Sequence, residues 1–177
     1  MVILSGALVL GGCTTTPEGN NVNEMFQQLR QRPDIDEASK RYTELQSKIK
    51  DRLAAEFPSL AWEIFTGTKG ASACGFDFPG LDAADGENRG LPGWKAKGNL
   101  PDTDWEKALQ SVREVAAQHG FSSPAPIVDK PGDHEVIFKD SYDAKLSFGT
   151  AANTLLSLRT GCHLTVEAHR RGTPASE

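Results

Sequence analysis

The sequence predicts an α+β domain of two layers, with two main amphipathic helices packed on an antiparallel sheet and one disulfide. Three observations predict it. Two long stretches, Asp34 to Phe57 and Thr103 to His119, carry apolar residues at helical steps of three and four. Beyond Gly120 the chain turns to short alternating segments at hairpin spacing. Of three cysteines, one sits in an N-terminal motif and leaves Cys74 and Cys162 as an even pair.

The chain opens Met1-Val-Ile-Leu-Ser-Gly-Ala-Leu-Val-Leu-Gly-Gly-Cys13. The apolar run is too short for a bilayer span, which needs about 20 residues. It suits a secretory signal, with small residues before a cleavage site. Leu10-Gly11-Gly12-Cys13 resembles the lipobox of bacterial lipoproteins, so residues 1–12 read as a signal peptide cleaved between Gly12 and Cys13. The Cys13 thiol would carry a diacylglyceryl group, whose two chains suffice for stable anchoring. Nothing between Met1 and Leu10 is basic, so the true start is expected upstream. Residues 13–32 then read as the lipidated cysteine and a tether, with a short amphipathic piece at Val22, Met25, Phe26 and Leu29. Arg32-Pro33 breaks that piece.

The domain is expected over residues 33–169. Asp34-x-x-Glu37 has capping-box spacing, and Ile35, Ala38, Tyr42, Leu45, Ile49, Leu53 and Phe57 form the first helical stripe. Pro58 stops it. Ala61 to Phe65 alternates and reads as a strand, with Trp62 directed to the core. Thr66 to Asn99 reads as irregular, with a short strand at Gly93 to Gly98. Its acids, Asp77, Asp82, Asp85 and Glu87, lack the spaced ligand ladder of a calcium loop and read as solvated. Thr103-x-x-Glu106 predicts a second capping box, followed by a stripe from Trp105 to Ala116 and a stop at Gly120. Strands are expected at Ile127-Val128, His134 to Lys139, Ala144 to Phe148, Thr154 to Leu158 and Gly161 to Val166. Residues 170–177 read as a disordered tail.

The net charge of −5 disfavours nucleic acid, which selects basic surfaces. Cys74 and Cys162 lie in a chain expected to be exported, where oxidation is permitted, and no CxxC spacing favours metal. A bond between them would close a loop of nearly ninety residues, for roughly 4–5 kcal/mol on a chain-entropy basis. Free or metal-binding thiols are the alternative. The four histidines, His119, His134, His163 and His169, accompany no Gly-x-Ser-x-Gly elbow, His-Glu-x-x-His, P-loop or dinucleotide fingerprint. Glu135 and Asp140 are near enough in sequence to form a carboxylate pair. No enzyme, catalytic residue, cofactor or metal is therefore expected.

In the order of its parts the chain resembles the LppA-like lipoproteins of mycobacteria and related actinobacteria. The resemblance runs from the lipobox at Cys13 through the helix Tyr42 to Phe57, Pro58 to Phe65 with Trp62, Cys74, Val112 to Gly120, and the strand leading to Gly161-Cys162. It implies an envelope lipoprotein with no established activity, lipidated at Cys13 and held on the extracytoplasmic face of the cell membrane. The partner implied is the membrane, through the lipid, with any envelope protein or lipid partner unidentified and no nucleic acid. A non-enzymatic binding or interaction domain is the leading expectation. A small-ligand or lipid carrier is the alternative, and it requires a sizeable apolar cavity.

Overall fold

In the computed structural model residues 18–175 are described, with side chains from Asn21 onward. The expected signal peptide and Cys13 lie outside them. Helix α2 (Ile35–Glu56) starts where Asp34 Oδ1 accepts from the backbone N–H groups of Asp36 and Glu37, at 3.0 and 2.9 Å. That cap satisfies two of the donors a helix leaves open at its start. The stripe Ile35, Ala38, Tyr42, Leu45, Ile49 and Leu53 is buried, and Phe57 closes the helix through its N–H to the Leu53 carbonyl, 2.8 Å. Helix α3 (Asp102–Gln118) begins one residue before the expected capping box, behind Pro101, and no side chain caps it. Asp102 and Asp104 in its first turn face the positive end of the helix dipole instead.

The strands are β1 (Trp62–Phe65), β2 (Gly70–Ala73), β3 (Gly86–Gly90), β4 (Gly93–Lys97), β5 (Ala125–Lys130), β6 (Asp133–Lys139), β7 (Lys145–Thr150), β8 (Asn153–Arg159) and β9 (His163–Leu164). They form one sheet in the order β1-β4-β8-β7-β6-β5, and every ladder is antiparallel. β3 and β4 act as one bent lane. Gly86 faces Leu164, Gly90 faces Arg159 and Trp94 faces Leu156, the middle pair offset by one residue from the other two. The bend falls at Leu91-Pro92, where proline has no N–H to donate. β2 and β3 fall where irregular chain is expected. Their sequences, Gly-Ala-Ser-Ala and Gly-Glu-Asn-Arg-Gly, carry no apolar alternation, and the pairing partners make them strands. At Gly90 an added Cβ would meet the Thr68 carbonyl oxygen at 1.9 Å, so the close crossing there requires glycine.

Alternation along β6, β7 and β8 sends Val136, Phe138, Leu146, Phe148, Leu156 and Leu158 to one face. With the α2 and α3 stripes, Trp62 and Trp94 they fill the main core. This is the α+β, helix-on-sheet fold expected from the sequence.

A second, smaller cluster gathers Phe26, Leu29, Cys74, Leu81, Cys162, Leu164 and Ala168. It lies under two helices: α1 (Glu18–Arg30), which holds the amphipathic piece expected at Val22 to Leu29, and α4 (Val166–Arg171), which the sequence does not announce. Phe26 and Leu29 are fully buried, worth together roughly 3–6 kcal/mol, so the chain from Glu18 belongs to the domain and not to a tether. Val166 opens a helix rather than ending a strand, capped by Thr165 Oγ1 accepting from the Ala168 N–H at 3.2 Å. The chain after α4 is held as well: the Ala175 N–H donates to Asp85 Oδ2 at 2.9 Å. Asp85 also pairs with Arg171, accepts the Thr165 N–H on its carbonyl, and is fully buried. It is a structural acid, not a solvated one. The described residues 18–175 thus hold both clusters, the nine-stranded sheet and the disulfide. Among the described residues no helix is long and apolar enough to cross a membrane.

Candidate functional site

The disulfide expected between Cys74 and Cys162 is present, with Cα atoms 5.8 Å apart. It joins the loop after β2 to the start of β9 and forms the floor of the second cluster. Gly12 and Cys13, the expected cleavage and lipidation residues, lie outside the described residues.

Three surface clefts border the turn 140–144, two of them at Cys162 of the disulfide. One of about 350 Å³ lies between α2, the end of α3 and the β6–β7 turn, with Arg41, Tyr42, His119, Asp140 and Tyr142 in its wall. A second of about 350 Å³ shares Tyr142 and adds Met25, Arg32, Asp77, Phe78, Asp143 and Cys162. A third of about 310 Å³ shares Asp77, Asp143 and Cys162 and adds Lys139, Lys145 and Arg159. Together they make one open groove around the turn 140–144.

Asp140 builds that turn. Its Oδ1 accepts from the N–H groups of Tyr142 and Ala144, at 2.8 and 2.9 Å, and its Oδ2 accepts from the Tyr42 hydroxyl at 2.5 Å. Asp143 takes the left-handed region, φ 63°, which aspartate tolerates better than most residues. Opposite, Gly161 admits the Tyr142 carbonyl, which would stand 1.6 Å from any Cβ there. Arg32 fastens the parts together. It donates to the carbonyls of Cys162 (3.0 Å) and Tyr142 (3.3 Å), and its guanidinium lies over the rings of Phe78 and Tyr142, at 5.5 and 5.3 Å.

Four observations bear on chemistry. Burial and the neighbouring Asp140 push the Tyr42 hydroxyl far above its ordinary pKa, so it stays protonated. His163 is fully buried; its Nδ1 lies 2.8 Å from the Pro33 carbonyl, and its Nε2 has no partner among the described residues. Burial lowers its pKa, which fits a neutral ring donating from Nδ1. His134 is held between Asp129 Oδ1 (2.9 Å from Nδ1) and Asp102 Oδ1 (3.2 Å from Nε2), and stacks on Trp105 at 4.9 Å. Both its nitrogens face carboxylates, so neither is turned to a nucleophile. Glu135 and Asp140 do not pair: Glu135 accepts from the Ser147 hydroxyl while Asp140 is spent on its turn. No group of three or more His, Cys, Asp or Glu among the described residues is placed to hold a metal ion.

The sheet register adds a feature the sequence does not suggest. Lys139 faces Lys145, and Lys145 faces Arg159, across adjacent strands. All three are exposed. Arg159 donates to Asn88 Oδ1 at 2.6 Å, and neither lysine has an ion pair among the described residues. Like charges set directly opposite repel, and the fold keeps them there. A period-two reading places Lys139 and Lys145 on strands and stops one residue short of Arg159, and only the hairpin registers bring the three into one row.

A family model described as "LppA: Lipoprotein confined to pathogenic Mycobacterium" matches residues 11–166. The crystal structure of the lipoprotein LppA from Mycobacterium tuberculosis is similar, at 16% identity and TM-score 0.71, over 86% of this chain and 90% of that one. The crystal structure of a DUF4853 family protein from Actinomyces odontolyticus is similar at 16% identity and TM-score 0.53, over 76% of this chain and 71% of that one. At such identity both likenesses speak to the fold alone. No curated protein matches the chain.

Proposed function

The chain belongs to the LppA family of lipoproteins, and from that premise we propose that it is a lipid-anchored envelope protein whose domain works by binding rather than catalysis. The observation that carries the reading is Leu10-Gly11-Gly12-Cys13 at the head of a chain in a lipoprotein family. On this reading the signal is cleaved before Cys13, the thiol takes a diacylglyceryl group, and the domain sits on the extracytoplasmic face of the cell membrane. Four residues separate Cys13 from the start of α1 at Glu18, five steps with a reach of at most about 18 Å. The domain is therefore held close to the bilayer.

Binding is favoured over catalysis because three of the four histidines serve other ends. His134 is clamped by carboxylates, His163 is buried against Pro33, and the Nε2 of His169 meets the Arg30 carbonyl at 3.2 Å. The carrier alternative has less support. Side chains fill the space between helices and sheet, and the clefts described above are open and lined largely by polar groups. Intact mass spectrometry of the protein extracted from membranes tests the proposal. A chain beginning at Cys13 and carrying the diacylglyceryl mass is expected; an unmodified cysteine would contradict it.

A further inference from the structure

We propose that the domain has its own membrane-contact surface: the tip of the loop at Phe76, together with the row Lys139, Lys145 and Arg159, lays it on an anionic phospholipid bilayer. Phe76 is 96% exposed, the most solvent-laid large apolar side chain of the described residues. A single exposed apolar residue is ordinary on a protein surface. This one adjoins Asp77, whose cleft holds cations that have no carboxylate pair among the described residues. Asp77, its neighbour in sequence, lines the same cleft as Lys139, Lys145 and Arg159. Asp77 also lines the adjoining cleft with Met25 of α1 and with Phe78, both half-buried. Apolar tip, half-buried apolar flank and cationic row therefore occupy one end of the molecule.

Two further observations point the end at lipid. The three cations stand in direct cross-strand register, an arrangement whose repulsion an anionic surface relieves. The chain outside the described residues leaves from this same end, for Val22 of α1 packs on Gly80 of the Phe76 loop, with Cγ2 2.9 Å from where a Cβ would stand. A tether from Cys13 would bring this end to the membrane. Asp77 and Asp143 in the cleft wall temper the positive charge, so the surface orients a tethered domain rather than holding it alone. A ring at the headgroup boundary and basic residues against anionic headgroups are the usual parts of an interfacial contact.

The orientation argument rests on the anchor reading; the affinity does not, and the test is made without the anchor. Residues 14–177, oxidised, are mixed with vesicles of phosphatidylcholine alone or of phosphatidylcholine with phosphatidylglycerol. Sedimentation should recover the protein with the anionic vesicles only, less so as salt rises. Lys139→Ala and Lys145→Ala should each weaken binding about five-fold. Neither should lower the melting temperature, because each relieves a repulsion. With Phe76→Trp, brominated lipids should quench fluorescence beyond the quenching of the native tryptophans. Equal recovery on both vesicle types, no recovery on either, unaltered binding by the lysine variants, or no added quenching would each overturn the proposal. A failed anchor with intact anionic binding would overturn the orientation and leave the surface.

Discussion

Cleaving the Cys74–Cys162 bond by paired substitution to alanine should cost the domain much of its stability. The residues are 88 apart in sequence, so removing the cross-link frees a long loop in the unfolded chain. With that separation the loop-entropy relation gives about 4.6 kcal/mol at 25 °C. For a chain of this size that is a fall of roughly 10–18 °C in melting temperature. The sulfurs are also packed, Cys74 at 1% and Cys162 at 3% exposure, so the alanines remove contacts from the second cluster as well. Urea unfolding followed by circular dichroism measures the effect. The midpoint should fall and the slope should rise, because an unfolded chain without the cross-link exposes more surface. Hydrogen exchange should show where: amides of α1, α4 and the loop 74–85 should exchange well before those of β6, β7 and β8. A loss below about 1 kcal/mol would refute the reasoning, as would uniform loosening of the whole sheet.

Three other outcomes follow from the same structure. Burial holds the His163 pKa below its ordinary 6.5, so the unfolded chain takes up a proton that the folded chain resists. Stability should be full above about pH 6.5 and fall as pH drops through the lowered folded value; His163→Phe should flatten that slope, and equal slopes in both proteins would count against the assignment. Asp85→Ala strands the Ala175 N–H and the Arg171 guanidinium together, and should lower unfolding free energy by about 2–3 kcal/mol in urea titration; an unchanged midpoint would remove Asp85 from its structural role. Gly161→Ala sets a Cβ against the Tyr142 carbonyl, and should cost at least about 2 kcal/mol by displacing the turn 140–144, visible as lost near-ultraviolet signal; a native spectrum and midpoint would contradict the close approach.

What the sequence revealed follows from how local each signal is. The α2 stripe and the alternation of β6 to β8 are written within single segments, and they stand where expected. The Asp34 cap is likewise local, and it forms. The α3 cap fails because the N-cap falls on Pro101, two residues before Thr103, leaving Thr103 inside the helix. β2 and β3 were hidden because an edge lane rich in glycine and polar residues becomes a strand through its partners, not its own pattern. α1 has helical spacing but only about two apolar turns, so its docking depends on the distant disulfide and Leu164. Asp85 looks like any loop acid until Arg171 and Ala175 are brought to it. The staple was legible once Cys13 was assigned to the N-terminal motif, which leaves Cys74 and Cys162 as a pair. The groove around Tyr142 and the cationic row were not, since Arg32, Gly161 and the three registers meet only in three dimensions.

The anchor is the claim on which compartment, oxidation and membrane approach all depend, and metabolic labelling with a fatty-acid probe tests it most directly. The account predicts that the wild-type chain takes the label and that Cys13→Ala does not. Equal labelling of both, or of neither, would contradict it.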